Sequence, residues 1–186
     1  MVKLNKIERQ IMKNFFDIRF VVLTGLILLA AFSRLLPHLP NFTPVMAIAL
    51  FGGAYIADKR FAFIVPLLAM VISDSIIGFH STFWAVYFSI GIGVFIGFML
   101  NKKVNTPRVI YSSLTSSVIF FIVTNLAVWL VDGMYPLNFS GLIQCYTMAL
   151  PFFRNSLAGD LVYCGILFGS YALMTRYIPY LKPAEA

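Results

Sequence analysis

Ionisable and amide side chains set inside long apolar runs are the residues of this sequence with chemistry to offer. Arg34, Asp74, Asn125, Asn155 and Asp160 lie within such runs, and Asn41, His80, Arg154 and the indoles of Trp84 and Trp129 stand near their ends. A charge in hydrocarbon is costly, so one that persists there is paired, reached by water or used. Together these types could orient a small ligand. Asp74, Asp160, Asn125 and Arg154 would supply charge and hydrogen bonds, Trp84 and Trp129 apolar or stacking walls, and Asn41 and His80 would belong to gating loops. A plainer reading stands beside this one: Arg34 and Arg154 snorkel to lipid headgroups, or neutralise Asp74 and Asp160 in interhelical pairs.

Covalent and metal chemistry find less support. The sequence has no HExxH, no GxSxG, no P-loop and no spaced acidic metal motif, so no catalytic residue, metal ligand or cofactor is expected. His38 and His80 could join Asp74 or Asp160 around a metal, but their spacing does not demand it. Cys145 and Cys164 have no CxxC or Cys/His company and read as inert apolar residues. Without a nucleotide site the chain could not energise transport by itself.

The elements that must hold these residues are set by composition. Of the 186 residues 60% are hydrophobic and only 11% charged, which excludes a soluble enzyme, a nucleic-acid module and a disulfide scaffold. An all-α membrane protein is expected, with six transmembrane helices near 20–36, 44–57, 61–79, 83–100, 109–131 and 155–178. Residues 1–19 place Leu4, Ile7, Ile11, Phe15 and Ile18 opposite Lys3, Lys6, Arg9, Lys13 and Asp17, the pattern of a basic interfacial helix before a retained first span. The second span reaches only about 21 Å against a hydrocarbon core of about 30 Å, so it must tilt, be flanked by partly inserted loops or be sheltered by neighbours. Residues 142–153 are too short to cross and contain Pro151, which predicts a separate interfacial or re-entrant helix. Residues 179–186 form a tail.

With six spans both termini share a side. Lys3, Lys6, Arg9, Lys13, Arg19, Lys59, Arg60, Lys102, Lys103, Arg108, Arg176 and Lys182 then fall on that side, leaving Arg34 and Arg154 on the other. The positive-inside rule makes the first side cytoplasmic and the chain a multi-pass protein of the cytoplasmic (inner) membrane. The same asymmetry explains the net charge of +7 without nucleic acid. It also sets the outer half of the bundle as the depth at which Arg34, Asp74, Asn125 and Asp160 converge, from four different helices. By contrast Ser112, Ser113, Thr115, Ser116 and Ser117, in the inner half, read as packing residues.

Small residues recur every four positions: Ala49, Gly53 and Ala57 on the second span, Gly93 and Gly97 on the fourth, Gly165 and Gly169 on the sixth. Such stripes let helix backbones approach closely, for packing inside the bundle or for docking to a membrane partner.

The stretch NFTPVMAIALFGGAYIADKRFAFIVPLLAMVISDSIIGFH from Asn41 resembles the second and third helices of substrate-binding S components of energy-coupling factor (ECF) transporters. In those proteins a Pro-containing start leads to a short glycine-rich helix, a basic turn, and a helix ending in Ser-Asp and Gly-Phe. ALPFFRNSLAGDLVYCGILFG is similar to their last helix, and the likeness covers residues from about 20 to 178. An even closer resemblance is to a set of bacterial membrane proteins with the same NFTPV, SD and PFFRN-GD segments. The resemblance implies an S-component-like bundle with both termini cytoplasmic. It also implies a binder of a small-molecule micronutrient, a vitamin or its precursor, taken up near the outer face and closed in by the loops after helices one, three and five. Its partners would be membrane lipid and a transmembrane coupling protein driven by two ATPase subunits. A self-sufficient small transporter or channel, and below it a membrane enzyme or assembly factor centred on His80 and PFFRN, are the other expectations.

Overall fold

The computed structural model describes residues 6–101 and 103–181, with side chains from residue 18 onward. The faces expected of residues 1–17, the charge of Lys102 and the tail 182–186 lie outside it. The described residues are helical throughout, with no strand. The order is α1 (Lys6–Phe32), α2 (Val45–Tyr55), α3 (Lys59–Ile77), α4 (Phe83–Asn101), α5 (Thr106–Val131) and α6 (Phe139–Tyr177), with single 3-10 turns at Ser33–Leu35 and Pro179–Leu181. All but α2 are long and apolar enough to cross a membrane. Their outward faces carry large apolar side chains, among them Val21, Leu29, Leu68, Ile76, Phe88, Phe95 and Ile166, a surface that lipid can cover and water cannot.

Helix starts follow local chemistry. Asp58 accepts a hydrogen bond from the Arg60 amide at 2.8 Å, Asn105 from the Arg108 amide at 3.0 Å and Asn138 from the Gly141 amide at 2.9 Å, each satisfying an N–H that the first turn leaves orphaned. Two elements differ from expectation. No breaker separates residue 19 from 20, so the expected interfacial segment and first span form one helix, α1, which stops ahead of Pro37 and Pro40. The separate 142–153 helix is also absent: α6 runs unbroken through Pro151 for 39 residues, about 58 Å at the helical rise. Proline removes one backbone donor there, but the first half of α6 is held along α5. Tyr146 donates its hydroxyl to the Ile122 carbonyl at 2.7 Å, and the Phe121 and Phe153 rings sit 4.5 Å apart.

The short helix α2 is the axis of the molecule. Every residue from Val45 to Ala54 is buried, so its neighbours shelter it on all sides. Closest is α4: a β-carbon added at Gly53 would run into the Val94 carbonyl oxygen, one at Gly97 would stand 2.9 Å from the Gly53 Cα, and one at Gly93 would stand 2.9 Å from the Ala49 Cβ. The two backbones touch, and Ala49, Gly53, Gly93 and Gly97 serve internal packing. Ala57 does not belong to this seam, because α2 has already ended and the residue is exposed. Gly165 and Gly169 are likewise exposed, with nothing within 4 Å of an added β-carbon.

A helix whose ends lie inside an apolar bundle must find partners for its terminal amides and carbonyls. Asp160 of α6 supplies them at the α2 N-terminus, where Oδ1 accepts from the Met46 amide at 3.0 Å and the Ala47 amide at 3.3 Å, while the Ser117 hydroxyl donates to Oδ2 at 2.7 Å. Arg19 of α1 does so at the other end, its Nη2 donating to the Tyr55 carbonyl at 2.8 Å and its Nε to the Tyr171 hydroxyl at 3.0 Å. A carboxyl acceptor at the N-terminus and a guanidinium donor at the C-terminus also match the polarity of the helix dipole. Tyr171 in turn donates to the Leu181 carbonyl at 2.6 Å. The first and last helices therefore meet at the end bearing Arg19, and Lys59 sits there too, 6.0 Å over the Phe98 ring at the close of α4.

Candidate functional site

The opposite end of the bundle holds a cavity of about 450 Å³. Its polar centre is built by three helices. Arg34, in the 3-10 turn after α1, reaches α3, where its Nη1 meets Asp74 Oδ1 at 2.7 Å and also contacts the Ser73 hydroxyl. From α4 the Tyr87 hydroxyl donates to Asp74 Oδ2 at 2.9 Å. Both oxygens of a carboxylate that is 3% exposed are thereby used, which is the condition under which an apolar setting tolerates a charge. The guanidinium is not used up. Its Nε is buried without a hydrogen-bond partner.

Helices α5 and α6 supply the walls. Phe121, Thr124, Asn125 and Val128 follow one another at helical spacing along one face of α5, and Ala149, Phe152, Phe153 and Ser156 do so along α6. Asn125 donates its amide to the Phe121 carbonyl one turn back at 2.8 Å, and its Oδ1 accepts no hydrogen bond from any described residue. The mouth is formed by the loop after α1, with His38, Asn41 and Thr43, and the loop after α3, with His80 and Thr82. Asn41 adopts a left-handed φ of 61°, which an Asn tolerates better than most residues. Next to it, the Asn155 amide donates to the Pro40 carbonyl at 2.9 Å, and Gly159 lets α6 approach the backbone of Phe42 and Thr43. The rim is tied across by the Ser81 hydroxyl, which hydrogen-bonds Asp132 after α5.

Of the residues singled out in the sequence, Arg34, Asn41, Asp74, His80 and Asn125 come together on this lining. Five do not. Asp160 is spent on capping α2, so the expected interhelical pairing of both carboxylates with arginines holds for Asp74 alone. Asn155 holds the mouth loop from behind. Trp84 is 48% exposed on the outward face of α4. Trp129 turns its indole N–H to the Pro136 carbonyl at 2.9 Å, in the loop after α5. Arg154 is exposed on α6. The aromatic walls are instead Phe120, Phe121, Phe152 and Phe153, which do not stand out in a sequence with 19 phenylalanines. The spacing from Asn125 back to Phe121 was the signal that could have found them. Tyr87 was also missed, one turn beyond Trp84 on a helix apolar on every face.

Nothing on the lining pairs a nucleophile with a base, and among the described residues no three His, Cys, Asp or Glu side chains cluster as metal ligands. What the arrangement can do is bind: a small-molecule-sized hollow with aromatic sides, an oriented guanidinium and a free amide oxygen.

Fold and site thus define an all-α protein of membrane-spanning character, with a ligand-sized cavity at one end of its bundle. Over residues 14–181 the chain matches a family of unknown function, DUF6580, and it belongs to that family. No curated protein and no solved structure matches it.

Proposed function

We propose that this protein is the substrate-binding membrane component of a micronutrient importer, capturing a vitamin or cofactor precursor from the outer face. The observation that carries the reading is the position of the cavity: it lies at the end of the bundle away from Arg19 and Lys59, around the buried Arg34–Asp74 pair. By the positive-inside rule the cation-rich end, with both termini, is cytoplasmic in the inner membrane and the cavity opens outward. Beneath the cavity Leu50, Phe51, Ile90 and Val94 are fully buried, which favours a binder over an open channel. The likeness of residues 41–80 to ECF S components supports the same role. It suggests that transport is driven by a separate coupling protein with two ATPase subunits, and that the protein is not itself an enzyme.

The test is mass spectrometry of small molecules that co-purify with the protein in detergent, set beside an Ala149→Trp variant whose indole would fill the cavity. A stoichiometric small molecule on the wild type, absent from the variant, is the expected result. Equal retention by both would remove the cavity from the account.

A further inference from the structure

The cavity is lopsided in what it offers. Among the described residues Asp74 is the only carboxylate on its lining, and Arg34 and Tyr87 already occupy both of its oxygens. A cationic ligand would have to displace the guanidinium to reach a negative charge. Arg34, however, spends only Nη1 on Asp74, Ser73 and Met70. Its Nε and Nη2 make no hydrogen bond with any described residue, and Nε is closed to water-sized contact, so a ligand reaches that edge as the guanidinium shifts on binding. A buried donor without a partner is uncommon and calls for one. The Nε–Nη2 edge is the face of a guanidinium that presents two parallel N–H groups, matched in spacing to the two oxygens of a carboxylate. Pairing on that edge leaves the Arg34–Asp74 contact intact, so the bound carboxylate adds a charge to a site whose own charges cancel.

The rest of the lining describes the other end of the ligand. Phe121 and Phe153 lie 4.5 Å apart with rings inclined by 34°, beside Phe120 and Phe152, and flat π-faces suit an aromatic body. The free Oδ1 of Asn125 accepts from an N–H or O–H on that body. We propose that the ligand is a small aromatic carboxylate, its carboxylate on the Nε–Nη2 edge of Arg34 and its ring among the phenylalanines of α5 and α6. This rests on the cavity being a ligand site, and it narrows the micronutrient to an aromatic acid.

The experiment presents the purified protein in detergent with one- and two-ring aromatic acids, each matched with its primary amide and its amine at equal concentration. Retained compounds are then read by mass spectrometry after gel filtration. Acids should be retained about tenfold or more over their amides, the ratio a charge-assisted pair provides. In the double variant Arg34→Gln/Asp74→Asn that preference should fall to parity. Arg34→Lys, which keeps the charge without the two-pronged edge, should lose most of it and serves if the double variant does not fold. Preference for amides or amines, retention of no compound, a phospholipid that acids cannot displace, or acid preference surviving both Arg34 variants would overturn the proposal. Ala149→Trp separates the two levels. An amide or amine lost from that variant sinks only the acid assignment, whereas a compound retained by it regardless sinks the cavity reading as well.

Discussion

Asp74 and Asp160 are both 3% exposed and both sit in helices long and apolar enough to cross a membrane, yet their surroundings differ sharply. Asp160 accepts from two backbone amides of α2 and from Ser117, with no cation beside it; every partner belongs to the scaffold. Asp74 is paired with Arg34 and Tyr87 on the wall of a hollow. Burial alone does not mark a functional charge. What separates the two is whether the partner group has capacity left over: a capped helix end has none, and Arg34 has an unused edge.

Breaking the scaffold side of this comparison should have the largest effect. Asp160→Leu leaves the two α2 amides without an acceptor inside the bundle, the Ser117 hydroxyl keeping the Ser113 carbonyl at 2.9 Å, and is expected to lower stability by about 3 kcal/mol or more. Thermal unfolding in detergent measures it, and a wild-type melting temperature would refute the capping role. Next comes the α2–α4 seam, where Gly53→Ala forces apart two touching backbones at about 2 kcal/mol. Gly165→Ala on the exposed face of α6 should stay within about 0.5 kcal/mol. Equal effects of the two alanines would mean that the seam is not where the bundle is tight.

Smaller in stability, and visible in binding instead, is Asn125→Leu, which removes the acceptor on α5 and should weaken ligand binding by about tenfold in equilibrium dialysis. Trp84→Ala and Arg154→Ala should change that affinity least, by less than about twofold, since neither side chain reaches the lining. A loss at Trp84 matching that at Asn125 would redraw the site.

Much of the bundle could be read from hydropathy alone, since α2 to α5 begin and end within three residues of the expected spans. For the short second span the sequence left tilt, partly inserted flanking loops and shelter open, and burial of every residue from Val45 to Ala54 selects shelter. Three things were not legible, each for a physical reason. The role of Asp160 depends on which helix start it meets across 114 residues of chain, and no local pattern encodes that. The outward turn of Trp84 depends on the rotation of α4, which cannot be read from a helix apolar all round. Pro151 is a helix breaker by local rule, but the long contact with α5 carries α6 through it. Arg34, Asp74 and Asn125 were found because a polar group in an apolar run is conspicuous. The phenylalanines around them were hidden for the opposite reason.

Ligand retention and melting temperature, measured together on Arg34→Gln/Asp74→Asn and on Asp160→Asn, test the division of labour most directly. The paired variant should stay within about 1.5 kcal/mol of wild-type stability while losing its ligand. Asp160→Asn should melt earlier but bind normally in the fraction that remains folded. Undiminished binding in the paired variant, or a folded Asp160→Asn protein that no longer binds, would contradict that division.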